Sequence, residues 1–263
     1  MLATGCGLWA KQEVARPIPA AILHPDPPPL AFMDSGLSDD SVVRLTTPDS
    51  ACTGTLIHPR LVLTAHHCLV GRDEYGDFDD QDLDPEFVKV EFGGDYFAWD
   101  EVGVDYIVAP PCGYAAGDGD IALLVLERRV DEVGSKPVLL DEPPRVGERI
   151  IPIGFGQCRD SGEGIRREAR VGGALELIKH GRMRAQAAIC PGDSGGPGVD
   201  SDGRVVGVVS ASAMDGKQET RNLTEFTRVD QYREVFANAL RLANGENPAE
   251  LPPLSCGGPA PGR

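Results

Sequence analysis

No run of 18 or more apolar residues occurs in the 263-residue chain, which rules out a membrane-spanning helix. Basic residues are scarce beside acidic ones: 25 Lys and Arg face 41 Asp and Glu, for a formal charge of −16. That balance argues against nucleic acid or an anionic membrane surface as partner, since both attract clustered positive charge. Aromatics make up only 6%. The seven cysteines include no C-x-x-C pair, so their spacing matches no zinc pattern. Glycine (32) and proline (22) are abundant in a chain that is 41% hydrophobic, the profile of a globular protein with many turns. The length allows one large or two small cores.

The cysteines are Cys6, Cys52, Cys68, Cys112, Cys158, Cys190 and Cys256. Read as disulfides, they place the chain in an oxidising compartment, secreted or extracytoplasmic. The odd count leaves one over, and Cys6 is the outlier. Leu2-Ala3-Thr4-Gly5-Cys6-Gly7 resembles the end of a bacterial lipoprotein signal, whose cysteine is lipidated, but the apolar run of such a signal is missing. A lipid anchor at Cys6, on a bacterial envelope, and a chance likeness both stay open.

Residues 1–35 are Pro-rich and without periodicity, and are read as a leader or tether. From Ser41 short β-branched and leucine-rich runs recur between turn signals: Val42–Leu45, Thr55–Ile57, Leu61–Thr64, Val88–Phe92, Val104–Val108, Ile121–Leu126, Arg149–Ile153 and Val205–Ser210. Many short strands with Gly/Pro punctuation predict an all-β barrel or sandwich. Pro137–Pro144 interrupts the pattern and could link two halves. After Val229 the periodicity turns helical, with Tyr232, Val235, Phe236, Leu240 and Leu242 largely on one face. The tail from Gly245 is Gly/Pro-rich.

One stretch carries chemistry: Cys190-Pro191-Gly192-Asp193-Ser194-Gly195-Gly196-Pro197. Glycines on both sides permit positive φ, so the serine can project its hydroxyl while backbone N–H groups converge beside it. That geometry suits a nucleophile with an anion-stabilising pocket; an ordinary Gly-Pro turn with an incidental serine is the alternative. Upstream, Thr64-Ala65-His66-His67-Cys68 follows a strand. Adjacent side chains on an extended segment point to opposite faces, so His66 and His67 are not expected to chelate one ion together. Gly117-Asp118-Gly119-Asp120-Ile121-Ala122-Leu123-Leu124 places an aspartate at the mouth of a buried strand, where Asp118 satisfies the turn-capping reading better than Asp120.

The order His, Asp, Ser, each in its own motif, resembles the chymotrypsin/trypsin-like serine proteases. Softer echoes are Cys52-Thr53-Gly54-Thr55-Leu56-Ile57, Gly154-Phe155-Gly156, Val206-Gly207-Val208-Val209-Ser210 and Phe226-Thr227-Arg228-Val229. The likeness covers about residues 36–244. It implies two packed Greek-key six-stranded β-barrels with a C-terminal α-helix: barrel 1 about 36–135, barrel 2 about 136–229, the helix about 230–244, and a tail at 245–263. It implies a monomeric serine endopeptidase acting on peptide or protein substrates and needing no cofactor. Ser194 would be the nucleophile, His67 the base, and Asp120 the residue that orients it. The N–H groups of Gly192 and Ser194 would form the oxyanion hole. A catalytically idle binding module, or an esterase, on the same fold are the other readings.

A Cys52–Cys68 disulfide would tie the histidine loop to its neighbouring strand. The family's bond from the cysteine before the serine loop to the next strand has no partner here, since no cysteine lies between Cys190 and Cys256. Cys158 is therefore the expected partner of Cys190, leaving Cys112 and Cys256 to fasten the tail to the first barrel. His66 replaces the family's usual alanine, adding bulk beside the base. No Ile-Val-Gly-Gly-like activation sequence precedes Ser41, so Asp193 lacks the ammonium partner it has in the family. The acidic loop at 73–86 follows the histidine about where some relatives bind calcium; a solvated loop is the simpler expectation, and no other metal is expected. In the specificity pocket Ala188 would form the floor, Ile189 would add apolar bulk, and Ser210, Ser212 and Thr224 would form the walls. An uncharged, narrowed pocket predicts cleavage after small or medium apolar residues, because an unpaired buried ammonium is costly.

Overall fold

The computed structural model describes residues 39–73, 78–93, 97–111, 119–158, 165–214 and 220–256. The proposed tether, Cys6, Cys112 and Asp118 lie outside these residues, as does part of the acidic loop.

Eight strands belong to the first half. They are β1 (Val42–Thr46), β2 (Ala51–His58), β3 (Leu61–Thr64), β4 (Val70–Arg72), β5 (Phe78–Asp82), β6 (Lys89–Gly93), β7 (Ala98–Val108) and β8 (Ala122–Leu126). Six close into an antiparallel barrel in the order β1-β2-β3-β8-β7-β6, which removes exposed strand edges. β8 is buried at all five positions, so its unbroken apolar run reflects packing on both faces. Strands β4 and β5 form a separate hairpin within the acidic segment.

The second half holds β9 (Arg149–Gly154), β10 (Glu168–Ala169), β11 (Gly173–Lys179), β12 (Arg182–Ala185), β13 (Pro197–Val199), β14 (Val205–Met214) and β15 (Thr220–Arg228). Here β9-β11-β12-β15-β14-β13 close through a β9–β13 pairing, with β10 appended at the far end of β9. Ile150, Leu175, Met183, Val206, Val209 and Phe226 fill this barrel. The fold is therefore two six-stranded antiparallel barrels.

Helix α1 (Arg233–Ala243) packs Val235, Phe236, Ala239 and Leu242 into the core of the first barrel. Leu240, assigned to that face from periodicity, is 43% exposed. Tyr232 precedes the helix and is buried between the halves, its hydroxyl accepting from Gly119 N–H at 2.8 Å. Arg60 caps the helix C-terminus through Ala243 O (3.0 Å), satisfying a carbonyl that the helix itself leaves open. No helix among the described residues is long and apolar enough to cross a membrane.

Candidate active site

Strand pairing brings histidine and aspartate together. Thr64 at the end of β3 faces Ala122 at the start of β8, so the residues just beyond those ends meet above the barrel rim. A 3₁₀ turn, His66–Leu69, follows β3 and is closed onto β2 by the Cys52–Cys68 disulfide. Asp120, 2% exposed, accepts from His67 N–H at 2.9 Å and lies 2.8 Å from His67 Nδ1. Ser210 Oγ donates to the same carboxylate. Burial alone would raise the Asp120 carboxyl; the hydrogen bond and attraction of His67, with the Ser210 and backbone donors, outweigh it and hold the pKa below the ordinary value. An ionised Asp120 fixes the imidazole with Nδ1 protonated and Nε2 turned away from it, available as a base. His67 Nε2 lies 3.8 Å from Cys68 Sγ, and the ring packs edge-on against Phe78 of the acidic hairpin at 5.7 Å. Arg72 stacks on the same Phe78 ring, 4.2 Å from its centroid.

His66 takes a different direction. It is 5% exposed, and its Nε2 lies 2.6 Å from Asp82 Oδ1, so it ties the β4–β5 hairpin to the histidine turn instead of crowding the base. Both histidines sit on a 3₁₀ turn, not on the extended segment expected, and separate by helical rotation. Among the described residues, the one cluster of three groups with metal-ligand character is Cys52, His67 and Cys68, whose sulfurs are spent in the disulfide.

Ser194 is half-buried on the turn before β13. Gly192 (φ 101°) and Gly195 (φ 82°) both occupy the left-handed region, and a Cβ on Gly195 would meet Thr64 Oγ1 and Thr53 O at 2.2 and 2.3 Å. Carbonyl and N–H of a trans peptide point in opposite directions. Pro191 O accepts from Gln157 N–H (2.9 Å) and Asp193 O from Gly196 N–H (2.9 Å), which turns the N–H groups of Gly192 and Ser194 away from those partners. Among the described residues, neither N–H donates to a protein acceptor. Likewise the Ser194 hydroxyl makes no hydrogen bond with a described residue.

Thr53, fully buried on β2, joins the two barrels at this turn. Its N–H donates to Ser194 O (2.8 Å), its Oγ1 donates to Gly192 O (2.7 Å), and Phe155 N–H donates to Oγ1 (3.0 Å). Cys158–Cys190 closes the other side of the turn. Cys256 is also disulfide-bonded, while Cys112, its expected partner, lies outside the described residues.

Asp193 is fully buried and has a cationic partner after all. Arg170 Nε and Nη2 bind its two oxygens at 2.8 and 3.0 Å, and the N–H groups of Gly156 and Cys190 supply the remaining bonds at 2.8 and 2.7 Å. No signal in the sequence singled out Arg170; the requirement that a buried carboxylate be paired pointed only to some cation.

Of the expected pocket residues, Ala188 is half-buried beside the serine turn, its N–H donating to Val171 O (3.1 Å). Ile189 is drawn into the core of the second barrel. Thr224 is fully buried and its hydroxyl donates to Ala187 O at 2.7 Å. Ser210 and Ser212 lie on β14, with Ser212 opposite Thr224 in the register.

Two closed barrels with a histidine–aspartate pair at the rim of one and a glycine-bounded serine at the rim of the other define a trypsin-like hydrolase fold. The chain belongs to the trypsin family of serine endopeptidases: the model described as Trypsin matches residues 37–236. Similar solved structures are human heparin binding protein (22% identity, TM-score 0.65, covering 82% of this chain and 96% of that one) and a Glu endopeptidase (19%, 0.60, 79% and 91%). Mouse neuropsin, described as a serine protease, is 22% identical with a TM-score of 0.59 over 78% of this chain and 96% of that one. Protease Do-like 2, chloroplastic, of Arabidopsis thaliana is 29% identical over 152 residues; the match spans 50% of this chain but only 24% of that protein.

Proposed function

We propose that this chain is an endopeptidase working through Ser194, His67 and Asp120 by way of an acyl-enzyme. The observation that carries the reading is the imidazole of His67 held through Nδ1 by a buried Asp120, which His67 itself, aided by Ser210 and the backbone, keeps ionised. In the reaction, Ser194 Oγ bonds to the scissile carbonyl carbon while its proton passes to His67 Nε2. The oxyanion is met by the N–H groups of Gly192 and Ser194. The imidazolium then protonates the departing amine, and the C–N bond breaks. Water, deprotonated by His67, releases the acid and restores Ser194. An oriented oxyanion donor contributes about 3 kcal/mol in such sites.

The proposed substrate is a polypeptide with a small or medium apolar residue before the cut bond. Ala188 brings no charge to the pocket, and the Thr224 hydroxyl, which donates to Ala187 O, is neutral, so neither position offers an anionic partner for a buried ammonium. Profiling on a peptide library tests this: cleavage after Ala or Val is expected, and dominant cleavage after Arg, Lys or Glu would overturn the pocket assignment. The Ser194→Ala chain should lose turnover by roughly a millionfold with its fold intact.

A binding module on the same fold draws support from one observation, the unformed hydrogen bond between Ser194 and His67. Such bonds are often long in unliganded sites. Secretion or a lipid anchor at Cys6, a solvated acidic loop 73–86 without calcium, a monomeric state, and the division into tether, barrels, helix and tail complete the reading. Disulfides favour an extracytoplasmic location.

A further inference from the structure

In relatives activated by cleavage, the aspartate before the serine waits for a newly freed α-ammonium. Here that place is taken. Asp193 has no solvent exposure, and Arg170 approaches it side-on with Nε and Nη2, one to each oxygen. Gly156 N–H and Cys190 N–H fill the remaining acceptor directions, so the carboxylate holds four donors. Arg170 Nη2 also donates to Gly156 O and Nη1 to Glu168 on β10, which fixes the guanidinium from both ends. The enclosure is tight. A Cβ on Gly154 would lie 2.4 Å from Asp193 Oδ1, and one on Gly156 2.5 Å from its Cγ. An ammonium could enter only by displacing the guanidinium.

The backbone around Asp193 is organised through this side chain. Asp193 N–H donates to Cys190 O (3.0 Å) while Cys190 N–H returns a bond to Oδ2, closing the turn on itself. The peptide after Asp193 carries the Ser194 N–H, and the Gly192 N–H lies one peptide further back, on the 191–192 bond within the same closed turn. Their direction therefore depends on Asp193, and Asp193 depends on Arg170.

We infer that Arg170 is a positioning residue that holds the oxyanion loop 190–194 in working order from within the folded chain, so that the site needs no freed N-terminus to form. The inference rests on the proposed endopeptidase reading for its kinetic consequence only; the ordering of the loop is independent of it. Arginine suits the role because its planar fork matches a carboxylate and its charge persists at any physiological pH. Lysine offers a point charge without the planar pair of nitrogens that sets one donor on each oxygen.

Three measurements on the full chain test it. First, Arg170→Met should raise amide hydrogen exchange across 190–196 by tenfold or more, measured in a Ser194→Ala background so that autolysis plays no part. Arg170→Lys should fall between it and the parent. Second, kcat per folded molecule should drop about a hundredfold in Arg170→Met, the scale of a lost oxyanion donor. A merely structural role would lower melting temperature and leave turnover per folded molecule unchanged. Third, a chain carrying an engineered protease site between residues 38 and 39 should show the same activity before and after cutting. Unchanged exchange in Arg170→Met, or activity rising tenfold on cutting, overturns the inference. A parent chain without peptidase activity, yet with the exchange pattern expected, would count against the endopeptidase reading alone.

Discussion

Thr53→Val isolates the seam between the barrels, because valine keeps the shape of threonine and deletes one hydroxyl. That hydroxyl donates to Gly192 O at 2.7 Å and accepts from Phe155 N–H at 3.0 Å. Phe155 is 7% exposed, so its N–H would be left buried without a partner. Such a group costs about 2 kcal/mol, and the half-exposed Gly192 carbonyl about 1 kcal/mol more. For a domain of this size, a loss of about 3 kcal/mol lowers the melting temperature by roughly 9 °C. The Gly192 carbonyl would also lose the Thr53 hydrogen bond that steadies the 192–193 peptide, next to the Gly192 N–H. Turnover per active site should fall about tenfold, less than the loss of a complete oxyanion donor. Thr53→Ser keeps the hydroxyl and should restore most of that turnover. Calorimetry beside active-site-titrated kinetics on the three proteins decides the matter. A valine variant that melts with the parent and turns over at full rate would refute the seam as described.

Asp120→Asn removes the charge that fixes the imidazole tautomer; kcat should fall by about four orders of magnitude while KM changes little, and a modest loss would mean that His67 is oriented by other means. The lowered pKa of Asp120 has a stability consequence whose sign is fixed: its contribution is fully present above the unfolded value of 3.8 and is lost as pH falls through the lower folded value. The stability gap between wild type and Asp120→Asn should thus be constant above pH 4 or so and shrink below it, which urea titrations at several pH values would reveal. Replacing Cys158 and Cys190 together by alanine opens a loop of 32 residues and should cost about 3.7 kcal/mol if chain entropy dominates. An unaltered denaturation midpoint in that variant would show that the turn is held by the Asp193 bonds alone.

How much of this was legible in the sequence varies by region. The first barrel announced itself, because β8 and β3 are buried on every side and read as unbroken apolar runs. Strands β11 and β12 were not anticipated: Gly173–Lys179 alternates buried and exposed residues irregularly, and Arg182–Ala185 carries two arginines. Their strand character comes from pairing with neighbours, which propensity does not encode. Leu240 matched the helical period yet points to solvent, since the buried stripe of α1 is narrower than the periodicity allowed. At the site, each motif marked its own turn, but the ties between turns were hidden. Ser210 was read as a pocket wall, and its hydroxyl is found on Asp120. Thr53 stands only in a softer motif, and its two bonds to the serine turn depend on a contact between barrels, the Gly192 partner lying 139 residues away in sequence. Arg170 was one of 25 basic residues, and only folding selects it for Asp193.

The central claim is that Ser194 is a nucleophile activated in place by the His67–Asp120 pair. A fluorophosphonate probe, followed by mass spectrometry of the labelled peptide, measures this directly on the full chain. The account predicts one label per molecule on Ser194, and none on the Ser194→Ala protein. Labelling should also become slower when His67 is replaced by alanine. A folded, pure preparation that takes up no label, or takes it up elsewhere, would contradict the claim.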